Sequence, residues 1–257
     1  MKVKLLPSSF EEDGSPSPRQ HLACFVVDDL VSIDAGSLAM AATDTMRRQL
    51  RDVVVTHAHL DHIAGLPLYV DDLFATLDSP VRVHALAEVI EVLERDVFNW
   101  SVFPRFSELS TQTGPSIEYH TIEFGKLFNI RDLQFRLFPA DHKVPSAGVT
   151  VSDANSTIAI TGDTSSLDGL SQSVGGFENV KAILVECAFP DELSEIARSS
   201  HHMTPAVLRN ELEKLPSDIE VFVINIKPRY REAVIAQIAG LKLANVNVME
   251  VGKDYFW

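Results

Sequence analysis

Cysteine is scarce in this chain, with only Cys24 and Cys187 among 257 residues. Each sits in an apolar, strand-like run, so buried free thiols in a reducing compartment are expected rather than a disulfide framework. Long hydrophobic runs are missing too. No apolar stretch approaches the ~18–20 residues of a membrane span, and the opening Met1-Lys2-Val3-Lys4-Leu5-Leu6-Pro7 is too short and interrupted for a signal peptide. The expected location is the cytoplasm, with no membrane partner. Positive charge is in deficit: 22 Lys and Arg stand against 36 Asp and Glu, a formal charge of −14. This argues against extended contact with a nucleic-acid backbone, while leaving room for a small phosphorylated ligand on a local basic patch. No composition shift or long linker interrupts the sequence, and its length can bury a full core, so a single domain over residues 1–257 is expected.

What the chain does have is a dense histidine segment. Three of its nine histidines fall in His57-Ala58-His59-Leu60-Asp61-His62. The segment follows Val53-Val54-Val55-Thr56, a β-branched run that reads as a buried strand. It precedes Ile63-Ala64-Gly65-Leu66, the opening of an expected helix. In extended backbone at a strand exit, residues two apart point to one side, so His57 and His59 can reach one metal ion together. Asp61 suits the cap of the following helix, and His62 lies on its first turn, aimed differently. One segment thus offers ligands to two neighbouring sites. Imidazole and carboxylate together suit zinc, iron or manganese, and two adjacent ions suit hydrolysis of phosphate esters.

Around this segment the pattern alternates. Strands are expected over residues 3–6, 22–27, 30–33, 81–84, 117–122, 133–138, 148–151, 157–161, 182–186, 221–226 and 246–251, with Asp28-Asp29 as a hairpin turn. Helices are expected over residues 39–50, 63–75, 86–97, 192–199, 205–215 and 232–239, the fifth with Thr204 as N-cap and Pro205 at its first position. Residues 98–115 carry aromatics without periodicity. Such a loop suits a cover over a site, a homodimer contact or ordinary packing.

Four later stretches carry further chemistry. His142 follows a strand, a position where a polar loop residue is common. Asp163 leaves the apolar run Ile158-Ala159-Ile160 through Gly162, as a turn aspartate or a metal bridge. His202 lies in Ser200-His201-His202-Met203-Thr204-Pro205 just before a helix, and Glu186 at a strand end is a candidate to orient it. The fourth stretch is Ile224-Asn225-Ile226-Lys227-Pro228-Arg229-Tyr230. His21, His84, His120 and His201 read as structural or surface residues.

The pattern H-x-H-x-D-H after a Val-rich strand resembles the signature of the metallo-β-lactamase superfamily. With Gln20-His21-Leu22, Ile33-Asp34-Ala35-Gly36, the stretch from His142 through Ser146 to Gly148, His202-Met203-Thr204-Pro205 and Ile226-Lys227-Pro228, the chain is most similar to class II cyclic-nucleotide phosphodiesterases. The resemblance implies an α/β fold, an αββα sandwich of two mixed sheets flanked by helices. It implies two divalent metal ions, zinc first and manganese or iron as alternatives. His57, His59 and His142 would hold one ion, and Asp61, His62 and Asp163 most of the second. Asn225 stands where relatives usually carry a histidine as the last ligand.

The same resemblance gives His202 the part of proton donor with Glu186 behind it. Asp61 would orient or accept a proton from the nucleophile, and Lys227, Arg229 and Ser146 would contact substrate. The function implied is hydrolysis of a 3′,5′-cyclic nucleotide, cAMP-like, or a similar small phosphodiester by metal-activated hydroxide. Three alternatives remain: a tRNA 3′-processing endonuclease, echoed by the His-x-Thr and Arg-Tyr elements; a nucleotide- or metal-binding sensor weakened by Asn225; and thioester or lactam hydrolysis on the same fold.

Overall fold

Val- and Ile-rich runs form the strands of two seven-stranded sheets in a computed structural model that describes residues 1–173 and 179–257. The chain divides into two compact units. The first comprises Met1–Pro18, Leu22–Ile122 and Val251–Phe256. Its sheet runs in the order Asp254–Phe256, Lys2–Leu5, Phe25–Val27, Val31–Ile33, Asp52–Val54, Val81–Ala85 and Ile117–Thr121. The first three pairings are antiparallel and the last three parallel. The antiparallel part is closed by the expected Asp28-Asp29 turn. Both residues sit at positive φ, 52° and 60°, and Leu30, whose amide donates to Val27 O at 2.9 Å, completes the three-residue connection between paired Val27 and Val31.

Parallel neighbours need crossovers, and helices supply them. The expected helix over residues 39–50 is in fact two, Leu38–Ala41 and Asp44–Gln49. Ala42 is extended, and Thr43 caps the second helix by accepting from the Met46 amide at 3.3 Å. The next crossover contains Leu60–Ile63 and Gly65–Leu73. In residues 98–115, Phe98 and Phe106 are buried, and Phe106 has the rings of Phe74, Phe98 and Phe103 within about 6 Å. Trp100 and Val102 stay exposed.

The second unit comprises Arg19–His21, Glu123–Glu250 and Trp257. Its sheet order is Val246–Val248, Glu220–Ile224, Val180–Glu186, Thr157–Ile160, Ala147–Ser152, Leu133–Pro139 and Leu127–Ile130. Here three parallel pairings are followed by three antiparallel ones. Ile183, Val185, Val221 and Val223 build the core with Leu208 from helix Pro205–Leu212 and Val234 and Ile238 from helix Arg231–Gly240. Pro205 opens its helix as expected, although the Thr204 side chain makes no capping bond. Both cysteines are buried and free. Burial pushes the Cys24 thiol up to about 12 and Cys187 well above its ordinary value, so neither is a nucleophile at neutral pH. Among the described residues no helix is long and apolar enough to cross a membrane.

Candidate active site

In the first unit, the histidine segment leaves strand Asp52–Val54 at its carboxyl end, where parallel sheets place their functional loops. His57 Nε2 and His59 Nδ1 lie 3.1 Å apart. Two nitrogens bound at ~2.0–2.1 Å to one tetrahedral zinc would be separated by about 3.3 Å, so this pair fits a shared metal ion. The His62 ring centroid is 4.1 Å from that of His57. Asp61 does not cap the helix. His59 holds the N-cap position, and Asp61 lies in the first turn, where its charge suits the helix dipole.

The far nitrogens of His57 and His62 are committed. His57 Nδ1 lies 3.1 Å from the Thr56 hydroxyl, which in turn donates to Asp34. His62 Nδ1 lies 2.6 Å from Asp34 Oδ2, and Asp34 Oδ1 accepts the Thr56 amide at 2.8 Å. Such outer contacts fix which ring nitrogen is left for a metal. Asp34, which in sequence is only part of a motif, thus supports both rings. It is 1 % exposed and sits at φ 57°, so a tight turn turns the carboxylate onto His62 and Thr56.

Gly36 and Gly65 let the backbone close around this loop. A Cβ on Gly36 would lie 2.1 Å from the Asp61 carbonyl oxygen, and one on Gly65 2.4 Å from that of Ala35. In the space so kept, the Ala23 amide donates to Asp61 O at 2.8 Å and the Ala35 amide to His62 O at 2.7 Å.

In the second unit, Glu186 ends strand Val180–Glu186 and is fully buried. Its Oε1 lies 2.7 Å from His202 Nδ1 and accepts the Thr164 amide at 3.0 Å. Its Oε2 accepts the amides of Ala188 at 3.0 Å and Met203 at 3.3 Å. Burial pushes the Glu186 carboxyl up, against the hydrogen bond and charge of His202. For His202 burial opposes the charged form, yet the bond to Glu186 and the charges of Glu186 and Asp163 prevail and raise it. Asp163, Glu186 and His202 form a donor set within metal-binding reach. With four donors already on Glu186, the arrangement is better matched to an oriented imidazole than to a metal cage.

Asp163 follows Gly162, which supplies the φ of 62° at the strand exit. Its Oδ2 is 4.0 Å from His202 Nδ1, and its Oδ1 accepts Asn225 Nδ2 at 2.8 Å. Asn225, at φ 54°, therefore presents an amide donor to a carboxylate expected to bind metal. His142 donates from Nδ1 to the His201 carbonyl at 3.1 Å. Its ring centroid is 5.0 Å from that of His202. His201, read from sequence as a surface residue, also lies 3.1 Å from Asp141 through Nδ1, and Asp141 accepts the Ser165 hydroxyl.

Lys227 is half-buried, and its charge bears on His202. Arg229 is exposed on the turn Pro228–Tyr230. Ser146 is buried, and its hydroxyl donates to Val144 O at 2.8 Å. Of the remaining histidines, His84 is a buried partner of Asp52 at 2.9 Å and stacks on the exposed His120.

Two mixed sheets with helices, and histidines and carboxylates on the loops leaving their strands, are the architecture of the metallo-β-lactamase fold. The chain belongs to the β-lactamase superfamily domain family, whose model matches residues 31–222. It is 26% identical over 226 residues to a probable 3′,5′-cyclic-nucleotide phosphodiesterase of Yersinia pestis, covering 76% of this chain and 63% of that protein. It is also 26% identical over 181 residues to a ribonuclease Z of Mycobacterium sp. (strain KMS), covering 64% and 63%. The chain thus spans about 63% of the length of these curated relatives. Among solved structures, unliganded yeast PDE1 matches with a TM-score of 0.76 at 16% identity, covering 100% of this chain and 99% of that one.

Proposed function

We propose that this chain is a metal-dependent phosphodiesterase that hydrolyses a 3′,5′-cyclic nucleotide or a similar small phosphodiester. The observation that carries the proposal is the His202–Glu186 pair, an imidazole fixed through Nδ1 on a fully buried carboxylate with Asp163 beside it. Lactam hydrolysis does not call for such a proton donor to a departing sugar oxygen, whereas phosphodiester cleavage does. The name of the Yersinia relative points the same way.

In this reading His57, His59 and His142 would hold one divalent ion, and Asp61, His62 and Asp163 most of the second, zinc being suited to so nitrogen-rich a set. Bound there, such ions supply Lewis acidity, offsetting phosphate charge and making water a nucleophile near neutral pH. The chain's own residues do the rest. Glu186 holds His202 charged, and His202 Nε2 delivers its proton to the leaving oxygen. Asp61 orients the attacking water and can take its proton. Lys227 brings positive charge to the phosphate, with Arg229 farther out and Ser146 shaping the loop that carries His142. The buried, unpaired cysteines suit work in a reducing cytoplasm.

Asn225 favours a second reading, a nucleotide or metal sensor with weak turnover, because its amide donates to Asp163 where the family resemblance leads one to expect a metal-ligand histidine. Ribonuclease Z activity has similar support by name, but the formal charge of −14 disfavours an RNA backbone. Metal analysis of the purified chain, coupled to hydrolysis assays on cyclic AMP and a bis-aryl phosphate with zinc, manganese or iron, separates these. Metal-dependent turnover of the cyclic substrate is expected. Metal binding without turnover on either substrate would leave the sensor standing in its place, and cleavage of precursor tRNA alone would overturn both.

A further inference from the structure

In a chain so acidic, three arginines gather within five residues of the first unit, Arg47, Arg48 and Arg51. They line one cavity of about 460 Å³ at helix Asp44–Gln49. Arg51 is the unusual member. Its side chain is 7% exposed, and a guanidinium keeps its charge wherever it is placed. Nη1 donates to the carbonyls of Arg47 and Leu50, both at 2.9 Å, and Nη2 to Asp78 at 3.3 Å. Nε is buried with no hydrogen-bond partner. Asp78 is 76% exposed through its side chain, and a long bond to so exposed a carboxylate offsets little of the cost of a buried charge.

Several of the helix-end carbonyls that would repel an anion are occupied. Tyr69 donates to those of Leu50 at 3.1 Å and Met46 at 3.4 Å, and Arg51 to those of Arg47 and Leu50. Arg47 is held by Asp72 and the Ala39 carbonyl, and the exposed Arg48 makes only a 3.3 Å contact to Thr45 through Nη2. Thr76 adds a hydroxyl to the lining, and Asp44 and Asp78 add two carboxylates. With Arg47 paired to Asp72, the charges around the cavity balance, so what favours a single phosphate group over a polyphosphate or a nucleic-acid strand is guanidinium geometry, not net charge. Guanidinium forks fit phosphate oxygens in pairs.

We propose that this cavity is a binding site for one phosphate group, free or on a small phosphomonoester, held by Arg48 and Arg51 with Arg47 and Thr76 beside them. The site does not depend on the proposed hydrolytic activity.

The test is calorimetric titration and thermal unfolding of the full, EDTA-treated chain with inorganic phosphate and with a nucleoside 5′-monophosphate. Chloride at matched ionic strength is the control. Phosphate is expected to raise the melting temperature beyond the chloride control. In Arg48→Gln and Arg51→Lys the dissociation constant should rise at least tenfold, and Arg48→Gln should keep the metal-loaded activity of the parent. Tighter binding of the ester identifies a phosphomonoester ligand, and tighter binding of inorganic phosphate identifies the free ion. Equal affinity in the parent and Arg48→Gln, or a shift that chloride reproduces, would overturn the site and leave Arg51 as a helix-end cap. Because Arg48 is exposed, its variant keeps the proposal testable even where Arg51→Lys fails to fold.

Discussion

Replacing Glu186 by glutamine tests the centre of the site with almost no change in volume. The carboxylate accepts four hydrogen bonds, His202 and Thr164 on Oε1, Ala188 and Met203 on Oε2. An amide can accept on one side only. With its nitrogen toward Ala188 and Met203, two buried backbone donors lose their acceptor. With the nitrogen toward His202, the imidazole can move its proton to Nε2 and accept at Nδ1, so only the Thr164 amide is orphaned. The second arrangement costs less. One buried donor left unsatisfied costs ~1–3 kcal/mol, and the surviving bonds lose their charge assistance, giving about 3 kcal/mol in all. Urea unfolding should show a lower midpoint with an unchanged slope. Metal content should hold while kcat falls about 100-fold, the usual scale for a misplaced proton donor. A variant within about 0.5 kcal/mol of the parent and equally active would refute both the hydrogen-bond accounting and the part given to His202.

Further outcomes follow from other contacts. Gly36→Ala places a Cβ 2.1 Å from the Asp61 carbonyl oxygen and under 3 Å from the Ala23 backbone; a loss of about 3 kcal/mol by denaturation and weaker metal uptake are expected. In Asp52, burial pushes the carboxyl up but the bonds from Arg82 and His84 outweigh it, holding it at about 2. Since that lies below the unfolded value, the group contributes about 2 kcal/mol above pH ~4 and loses it as pH falls toward 2; Asp52→Asn should flatten that part of an acid-unfolding curve. Asn225→His exchanges the amide donor on Asp163 for an imidazole; elemental analysis should find more metal bound per chain than in the parent.

Much of the fold was legible because buried strands need β-branched runs on both faces. Ile158-Ala159-Ile160 and Ile183-Leu184-Val185 could hardly be anything else, and the structure pairs them as parallel neighbours. Two of the four edge strands in the seven-stranded sheets escaped. Leu127–Ile130 alternates weakly and is largely exposed, and Asp254–Phe256 is three residues long; their partners, rather than their own sequences, make them strands. The split at Ala42-Thr43 escaped for another reason. Thr43-Asp44 is a helix-start signal, but with short helices on either side it reads as the interior of one longer segment.

For the site, the metal-type residues announced themselves by density and by standing at strand exits, while their supports did not. Asp34 reads as an ordinary turn aspartate; its significance comes from a positive φ and complete burial, which bring strand Val31–Ile33 against the loop after strand Asp52–Val54. His201 looked incidental because its contribution is a backbone carbonyl, invisible to any reading of side chains. Asn225 shows where sequence and geometry speak together. Its φ of 54° is a conformation that Asn and His both tolerate better than most residues. Asn225→His is therefore expected to leave the path of the chain intact and to alter only what touches Asp163, from an amide N–H to an imidazole. Metal stoichiometry, rather than stability, is the quantity in which that difference must appear.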